Sequence, residues 1–285
     1  MVLKLLIIGK GFLGSKIYSA ANKNNIFPIG TTYSSNGIHL DVTNIDQIDK
    51  VISTHKPDFI VNCAAMTNID EIETNSKKAY EINSYGARNV ALVAKNNRIR
   101  MAYLSTDSVF DGTKGMYNEE DVPIPINEYA KSKKLGEDLV TNISNEFIII
   151  RTNFFGYNDN GKFLFNWIFE NLKKDNTITA FDDVIFNPLE TENLSDLIIE
   201  LLQTNYSGIL HLGSDKIQSK YQFAKKIAKE LGFDETLILK GSIKNANFMA
   251  KRPLDTSLSN LKSKKILKTK IQSLEDWLKI FNQMS

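Results

Sequence analysis

The sequence has very little cysteine, no long apolar run and almost no net charge. Cys63 is the only cysteine among 285 residues, which excludes an internal disulfide and a metal site built on several cysteines. No stretch approaches the roughly 18 apolar residues of a membrane span, and the apolar run at residues 5–8 is too short for a secretion signal. A formal net charge of +2 favours neither nucleic acid nor an anionic membrane as partner. We therefore expect a cytoplasmic protein that acts on a small molecule.

Apolar runs of strand length alternate with helical patterns through the first half of the chain. Residues 3–8, 26–30, 59–62 and 99–105 read as strands, with helices at 12–23, 44–53 and 76–95 between them. Repeated strand–helix–strand units predict an α/β fold with a Rossmann-type, doubly wound parallel sheet. The alternation weakens after Arg151. We therefore expect residues 151–285 to form mainly a smaller C-terminal substrate-binding lobe, with a return of the chain to the sheet left open.

A G-x-G-x-x-G motif follows the first predicted strand directly. Gly9 permits the tight turn, Gly11 lets the backbone approach a pyrophosphate, and Gly14 lets the helix pack closely on the sheet. Phe12 and Leu13 open that helix, whose N-terminus favours an anion. The motif predicts that residues 1–150 form an NAD(P)-binding domain.

The acid that usually binds the adenosine ribose is missing at the end of the second strand. Thr31, Ser34 and Ser35 could instead hydrogen-bond a 2′-phosphate, so NADPH is the expected cofactor and NADH the alternative. Asp41, followed by Val42, either meets the adenine edge or caps the next helix; the residues alone leave both open.

Reduction of a ketone requires a proton donor and a group that orients the carbonyl oxygen. Tyr129 and Lys133 lie four residues apart on a predicted helix and therefore share one face. Thr106 ends the preceding strand at the edge where open α/β sheets bind ligands. A second pair with the same spacing, Tyr221 and Lys225, lies beyond the nucleotide-binding half and fits a surface helix.

The chain resembles the dTDP-4-dehydrorhamnose reductases, which are extended short-chain dehydrogenases. The segments that carry the resemblance are STDSVFDGTKG at residues 105–115, PIPINEYAKSKKLGE at 123–137, residues 61–65, 79–83 and 151–153, Pro188 with Asp196, Arg252-Pro253 with Ser257-Leu258, and the closing helix at 274–281. The resemblance covers nearly the whole chain.

The resemblance implies a role for each matching residue. Thr106 would orient the keto oxygen, Tyr129 would protonate it, and Lys133 would hold the nicotinamide ribose and lower the Tyr129 pKa. Ala64 and Ala65 would line the cofactor path. Asn83, grouped with the cofactor residues, would brace the sheet edge.

Four further residues are expected to contact the substrate. Arg252 could pair with its diphosphate, because arginine forks suit phosphate oxygens; the alternative is a surface salt bridge. Asn153 belongs to a matching segment. Ser108 stands where the family commonly has Tyr, and Phe154 where it commonly has Trp.

The expected reaction is reduction of dTDP-4-dehydro-L-rhamnose to dTDP-L-rhamnose. The alternatives are another sugar-nucleotide epimerase or dehydratase, and a non-catalytic subunit that resembles the regulatory subunit of methionine adenosyltransferase. Some family members use Mg²⁺ at a dimer contact. A homodimer and Mg²⁺ are therefore considered, but no full set of metal ligands can be assigned in this sequence.

Overall fold

The computed structural model describes residues 2–34, 37–158 and 163–284. The strands are β1 (Lys4–Ile8), β2 (Phe27–Thr32), β3 (Ile38–His39), β4 (Phe59–Asn62), β5 (Arg100–Leu104), β6 (Ile148–Thr152), β7 (Phe154–Phe155), β8 (Ile178–Phe181), β9 (Ile185–Phe186), β10 (Leu189–Glu190), β11 (Gly208–Leu212), β12 (Gln218–Ser219) and β13 (Ile238–Gly241). The α-helices are α1 (Phe12–Lys23), α2 (Ile45–His55), α3 (Ile69–Thr74), α4 (Lys77–Ala79), α5 (Ala87–Asn96), α6 (Glu128–Ile143), α7 (Leu164–Leu172), α8 (Thr191–Leu202), α9 (Lys220–Leu231), α10 (Leu261–Ile266) and α11 (Leu274–Met284), and a π-helix spans Tyr80–Gly86. None of the helices in these ranges is both long and apolar enough to cross a bilayer.

Seven parallel strands form the central sheet, in the order β11-β6-β5-β4-β1-β2-β3. The chain runs outward from β1 through β2 and β3, then returns to β4 and continues in the other direction. The strand order therefore reverses between β1 and β4, the place where open α/β sheets bind their ligands. This topology confirms the predicted Rossmann-type, doubly wound sheet.

The two faces of the sheet are covered by different helices because side chains along a strand point alternately to each side. Leu5 and Ile7 of β1 share one buried cluster with α1 and α8. Leu6 and Ile8 share another with α2 and α5. The glycine turn after β1 is thus held between two packed layers.

The second half of the chain contributes to both the sheet and a separate cluster. Strand β11 pairs in parallel with β6 and so returns to the central sheet. Phe155, Phe165, Phe186 and Phe223 lie in a third buried cluster with residues of α11. A division of the chain near residue 150 stays a prediction.

Candidate active site

The glycine turn has the geometry that its spacing predicts. Gly9 has φ +88°, and a Cβ there would lie 2.8 Å from the Ala64 backbone nitrogen. A Cβ on Gly14 would overlap the carbonyl oxygen of Gly9. A Cβ on Gly11 would meet no protein atom within 4 Å. The backbone at Gly11 is therefore open for the close approach of a ligand.

A cleft of about 760 Å³ begins at this turn and continues along the carboxyl ends of β1 and β4. Its lining includes Gly9, Gly11, Tyr33, Asp41, Val42, Ala64, Ala65, Met66, Lys77 and Lys78. The volume lies within the range of cofactor sites. The open backbone and the small alanine walls fit a dinucleotide.

Among the predicted cofactor residues, Phe12 and Leu13 occupy the first turn of α1. The ring centroid of Phe12 lies 4.4 Å from that of Phe163, while Leu13 is buried in the sheet core. These two side chains pack against protein at the start of α1. Their backbone, and not their side chains, would therefore contact a bound dinucleotide.

The structure argues against Thr31 as a contact for a 2′-phosphate. Its side chain is 1% exposed, and its hydroxyl lies 3.5 Å from the Ile7 carbonyl oxygen. Ser34 is exposed and hydrogen-bonds Thr32 across 2.8 Å, whereas Ser35 lies outside the described residues. The sequence reasoning missed Lys77, which lines the cleft and is the kind of cation that a phosphate requires.

Asp41 lines the cleft and does not cap the following helix. The cap of α2 is Asn44, whose side chain accepts from the Gln47 backbone nitrogen at 3.1 Å. The Asp41 carboxylate instead accepts from the Thr43 backbone nitrogen at 2.9 Å and from the Thr43 hydroxyl at 2.8 Å. Among the described residues, no hydrogen-bond donor contacts its other oxygen.

Asn83 is fully buried and contacts protein on both sides of its amide. Its oxygen accepts from the Met66 backbone nitrogen at 2.8 Å. Its nitrogen donates to the Met66 carbonyl at 3.0 Å and to the Ser132 hydroxyl at 2.9 Å. Asn83 therefore braces the cleft wall against α6, and the structure corrects its grouping with direct cofactor contacts.

Tyr129 stands in the first turn of α6, next to Thr106. The side chain of Asn127 begins this helix by accepting from the Ala130 backbone nitrogen at 2.9 Å. The Thr106 hydroxyl lies close enough to the Tyr129 hydroxyl to lower its pKa. Two side chains 23 positions apart thus meet at the carboxyl edge of β5, as the sequence predicts.

The pKa values of Tyr129 and Lys133 differ from the expectation. Burial raises the pKa of Tyr129 to about 12; the neighbouring Thr106 hydroxyl acts to lower this pKa and the Asp107 carboxylate to raise it. Burial also lowers the pKa of Lys133 to about 7, opposed by Glu137. Lys133 donates to the Leu104 carbonyl at 2.6 Å and lies over the Tyr103 ring. Its ammonium is not among the groups that shift the Tyr129 pKa, so the predicted lowering by Lys133 is absent from this structure.

A buried ion pair supports α6 one turn beyond Lys133. The Arg151 guanidinium donates to both oxygens of Glu137, at 2.9 and 2.7 Å, and the Ser105 hydroxyl donates to the same carboxylate. Both charged side chains are at most 3% exposed. The sequence reasoning missed this network; Arg151 at the end of an otherwise apolar strand was the available signal.

Asp107 joins three distant segments behind the Thr106–Tyr129 pair. Its carboxylate accepts from the Asn153 amide at 2.8 Å, from the Thr256 hydroxyl at 2.6 Å, and from the hydroxyls of Thr106 and Ser108 at 3.2 and 3.3 Å. The predicted substrate residues Ser108 and Asn153 are therefore held beside the reactive hydroxyls.

The other two predicted substrate residues lie elsewhere. The Phe154 ring is 6.3 Å from that of Phe12, at the glycine turn. Arg252 pairs with Asp70 at 3.0 Å and lies over the Phe248 ring, so the salt bridge of the alternative interpretation is present in the structure. Its Nη1 is buried and has no hydrogen-bond partner within the part of the chain that the structure describes.

Within residues 2–34, 37–158 and 163–284, no group of three or more His, Cys, Asp or Glu side chains is arranged to hold a metal ion.

An open glycine turn, a dinucleotide-sized cleft and a Thr–Tyr pair beside a buried lysine define an NAD(P)-dependent oxidoreductase. The chain belongs to the RmlD substrate binding domain family, whose model matches residues 3–284. It is 31% identical over 231 residues to the dTDP-4-dehydrorhamnose reductase of Aggregatibacter actinomycetemcomitans, covering 77% of this chain and 78% of that one. It is 30% identical over 254 residues to the "Probable low-salt glycan biosynthesis reductase" of Haloferax volcanii, covering 85% of each.

A solved structure supports the same assignment. The dTDP-4-dehydrorhamnose reductase of Bacillus anthracis, in complex with NADP, matches all of both chains with a TM-score of 0.92 and 29% identity. These comparisons confirm the predicted family and the predicted enzyme class.

Proposed function

We propose that this protein reduces the 4-keto group of dTDP-4-dehydro-L-rhamnose to give dTDP-L-rhamnose, with NADPH as the preferred cofactor. The observation that carries the proposal is the position of the Thr106 hydroxyl beside that of Tyr129, at the same edge of the sheet as the dinucleotide cleft. The relative from Aggregatibacter actinomycetemcomitans carries the name of this reaction. The solved structure from Bacillus anthracis contains NADP.

The cleft residues would hold the dinucleotide, which supplies the hydride when bound. The backbone from Gly9 to Gly14, with Phe12 and Leu13 in the first helical turn, would bind the pyrophosphate. Asp41 and Val42 would meet the adenosine, and Ala64 and Ala65 would leave room along the cleft wall.

Thr106 and Tyr129 would orient and protonate the substrate. Both hydroxyls can donate to one keto oxygen, which fixes the carbonyl while negative charge develops on it. Tyr129 Oη then gives its proton to that oxygen. A pKa of about 12 keeps the phenol protonated and able to donate at neutral pH. Lys133, one helical turn away, would hold the nicotinamide ribose.

The substrate would extend from this pair toward the C-terminal lobe. Ser108 and Asn153 lie beside Asp107 and could hydrogen-bond the sugar, with Phe154 near the glycine turn. Arg252 has a buried Nη1 without a partner. A phosphate oxygen would satisfy that donor, which supports Arg252 as a contact to the diphosphate.

The test is NADPH oxidation, followed by absorbance, with dTDP-4-dehydro-L-rhamnose as substrate. Tyr129→Phe should lower kcat by roughly 10²- to 10⁴-fold because the proton donor is lost. Tyr221→Phe removes a tyrosine with the same spacing to a lysine and should leave kcat unchanged. NADPH binding should survive in both variants.

Two outcomes would contradict the proposal at different levels. Full activity of Tyr129→Phe would exclude the mechanism. Absence of NADPH oxidation with this substrate, together with turnover of another 4-keto sugar nucleotide, would exclude the named substrate but leave keto reduction intact.

A further inference from the structure

The Ser132 hydroxyl lies between the cofactor cleft and the helical turn that carries Tyr129. Ser132 is fully buried on α6 and directly precedes Lys133. Its hydroxyl donates to the Tyr129 carbonyl oxygen at 2.7 Å and accepts from the Asn83 side-chain nitrogen at 2.9 Å. This hydroxyl takes no part in the proposed proton transfer. It nevertheless joins a distant segment of the chain to the backbone of the proposed proton donor.

Asn83 continues this connection to the wall of the cleft. Its side chain is hydrogen-bonded twice to the Met66 backbone, with the amide oxygen accepting at 2.8 Å and the amide nitrogen donating at 3.0 Å. Met66 is one of the residues that line the cleft. A continuous path of hydrogen bonds therefore runs from the cleft wall, through Asn83 and Ser132, to the main chain of Tyr129.

Helix formation alone does not favour a serine at this position. In the interior of a helix, serine is less favourable than alanine because its hydroxyl competes for backbone groups. A serine can satisfy its own hydroxyl by donating to a carbonyl of the preceding turn, and that bond does not require the second contact from Asn83. The partner segment is also unusual, since Asn83 lies in the π-helix Tyr80–Gly86 and π-helical turns occur frequently at functional sites.

We propose that Ser132 is a positioning residue, which holds the first turn of α6 against the cleft wall and so fixes the Tyr129 hydroxyl relative to a bound nicotinamide. This inference rests on the proposed function, because it takes the role of Tyr129 from there. Proton transfer requires close alignment of the reacting atoms, and a displacement of about 1 Å costs up to about 100-fold in rate. Loss of the Ser132 hydroxyl should therefore affect the chemical step more than the binding of substrate.

The decisive experiment compares Ser132→Ala with Ser84→Ala, by NADPH oxidation with a 4-keto sugar nucleotide that the wild type reduces. Ser84 is the matched control, because its buried hydroxyl also bonds α6 but donates to the Ser132 carbonyl oxygen, at 2.7 Å. Ser132→Ala should lower kcat by on the order of 10- to 100-fold with little change in the KM of the sugar nucleotide. Ser84→Ala should leave kcat unchanged.

Three further measurements separate positioning from stability. Urea unfolding should show comparable losses of stability in Ser132→Ala and Ser84→Ala, because each variant removes one buried hydroxyl. Ser132→Thr keeps a hydroxyl that can donate to a carbonyl of the preceding turn, so it should recover most of kcat. Hydrogen exchange of the ligand-free protein should be faster around Tyr129 in Ser132→Ala than in Ser84→Ala or the wild type.

The inference is overturned if Ser132→Ala retains the kcat of the wild type, or if Ser84→Ala loses as much kcat as Ser132→Ala. It is also overturned if Ser132→Ala is far less stable than Ser84→Ala, since the serine would then hold the fold and not the phenol.

Failure of the proposed function would appear in the wild type itself, as no oxidation of NADPH with any 4-keto sugar nucleotide tried. The exchange comparison is independent of turnover. Equal exchange around Tyr129 in Ser132→Ala and the wild type would then overturn the inference, and faster exchange in Ser132→Ala alone would support it.

Discussion

Replacing Glu137 with Gln should destabilise the protein strongly, because it leaves Arg151 as a buried charge without its carboxylate. The carboxylate accepts two hydrogen bonds from Arg151 and one from Ser105, and both members of the ion pair are at most 3% exposed. Removing one partner of such a pair costs about 3–5 kcal/mol. The Gln amide would also place a donor against a guanidinium that has only donors.

The free energy of unfolding should be measured by urea titration followed by circular dichroism. Lys134→Met is the matched control, since Lys134 forms an exposed pair with Asp138 on the same helix. Its loss should cost only about 0.3–0.5 kcal/mol. The double variant Glu137→Leu with Arg151→Met removes both charges and should recover much of the stability.

The result that would refute this reasoning is a Glu137→Gln variant that unfolds like Lys134→Met. A double variant less stable than Glu137→Gln would also refute it, because the cost would then come from lost packing and not from an orphaned charge.

Two further variants test the cleft and the buried lysine. Gly11→Ala should unfold like the wild type but bind NADPH more weakly, because its Cβ meets no protein atom and projects into the cleft; unchanged binding by fluorescence titration would contradict this. For Lys133, the folded pKa of about 7 lies below the unfolded value of 10.5. Between pH 7 and pH 10.5, Lys133 is protonated in the unfolded chain but largely neutral in the folded protein. The free energy of unfolding therefore rises with pH in this range, by up to about 1.4 kcal/mol per pH unit. Lys133→Met lacks this contribution. The free energy of unfolding of the wild type relative to the variant should therefore increase from pH 7 to pH 9, and a constant difference would contradict the shift.

Local patterns predicted the parts of the site that lie close together in sequence. The glycine turn needs only a strand, three glycines and a helix start, all within residues 4–14. The predicted helix that carries Tyr129 and Lys133 is present and spans Glu128–Ile143.

The error at Thr31 has a simple geometric cause. The sequence reading ended the second strand at Gly30, but β2 continues to Thr32. Alternation along the strand then places Ile29 and Thr31 on the buried face. The residue at which a strand ends is hard to predict from sequence. The face of the sheet on which a nearby side chain lies is therefore equally hard to predict.

The π-helix and the Asp107 network could not be predicted for a different reason. Residues 76–95 have ordinary helical spacing, yet the turn widens at Tyr80–Gly86 around Asn83. That widening accompanies the close approach of α6, where a Cβ on Gly136 would overlap the Asn83 carbonyl oxygen. The π-helix and the Asp107 hydrogen bonds depend on contacts between segments far apart in sequence, and a local sequence pattern does not predict such contacts.

The contacts of Asp107 have a consequence for the order in which the chain folds during translation. The carboxylate joins residue 107 to Asn153 and, near the end of the chain, to Thr256. During synthesis the glycine turn and most of the sheet can assemble while the ribosome is still translating the second half. The proposed substrate pocket cannot assemble until Thr256 has been synthesised. A nascent chain that stops before Thr256 should therefore gain NADPH binding before it gains any ability to discriminate among sugar nucleotides.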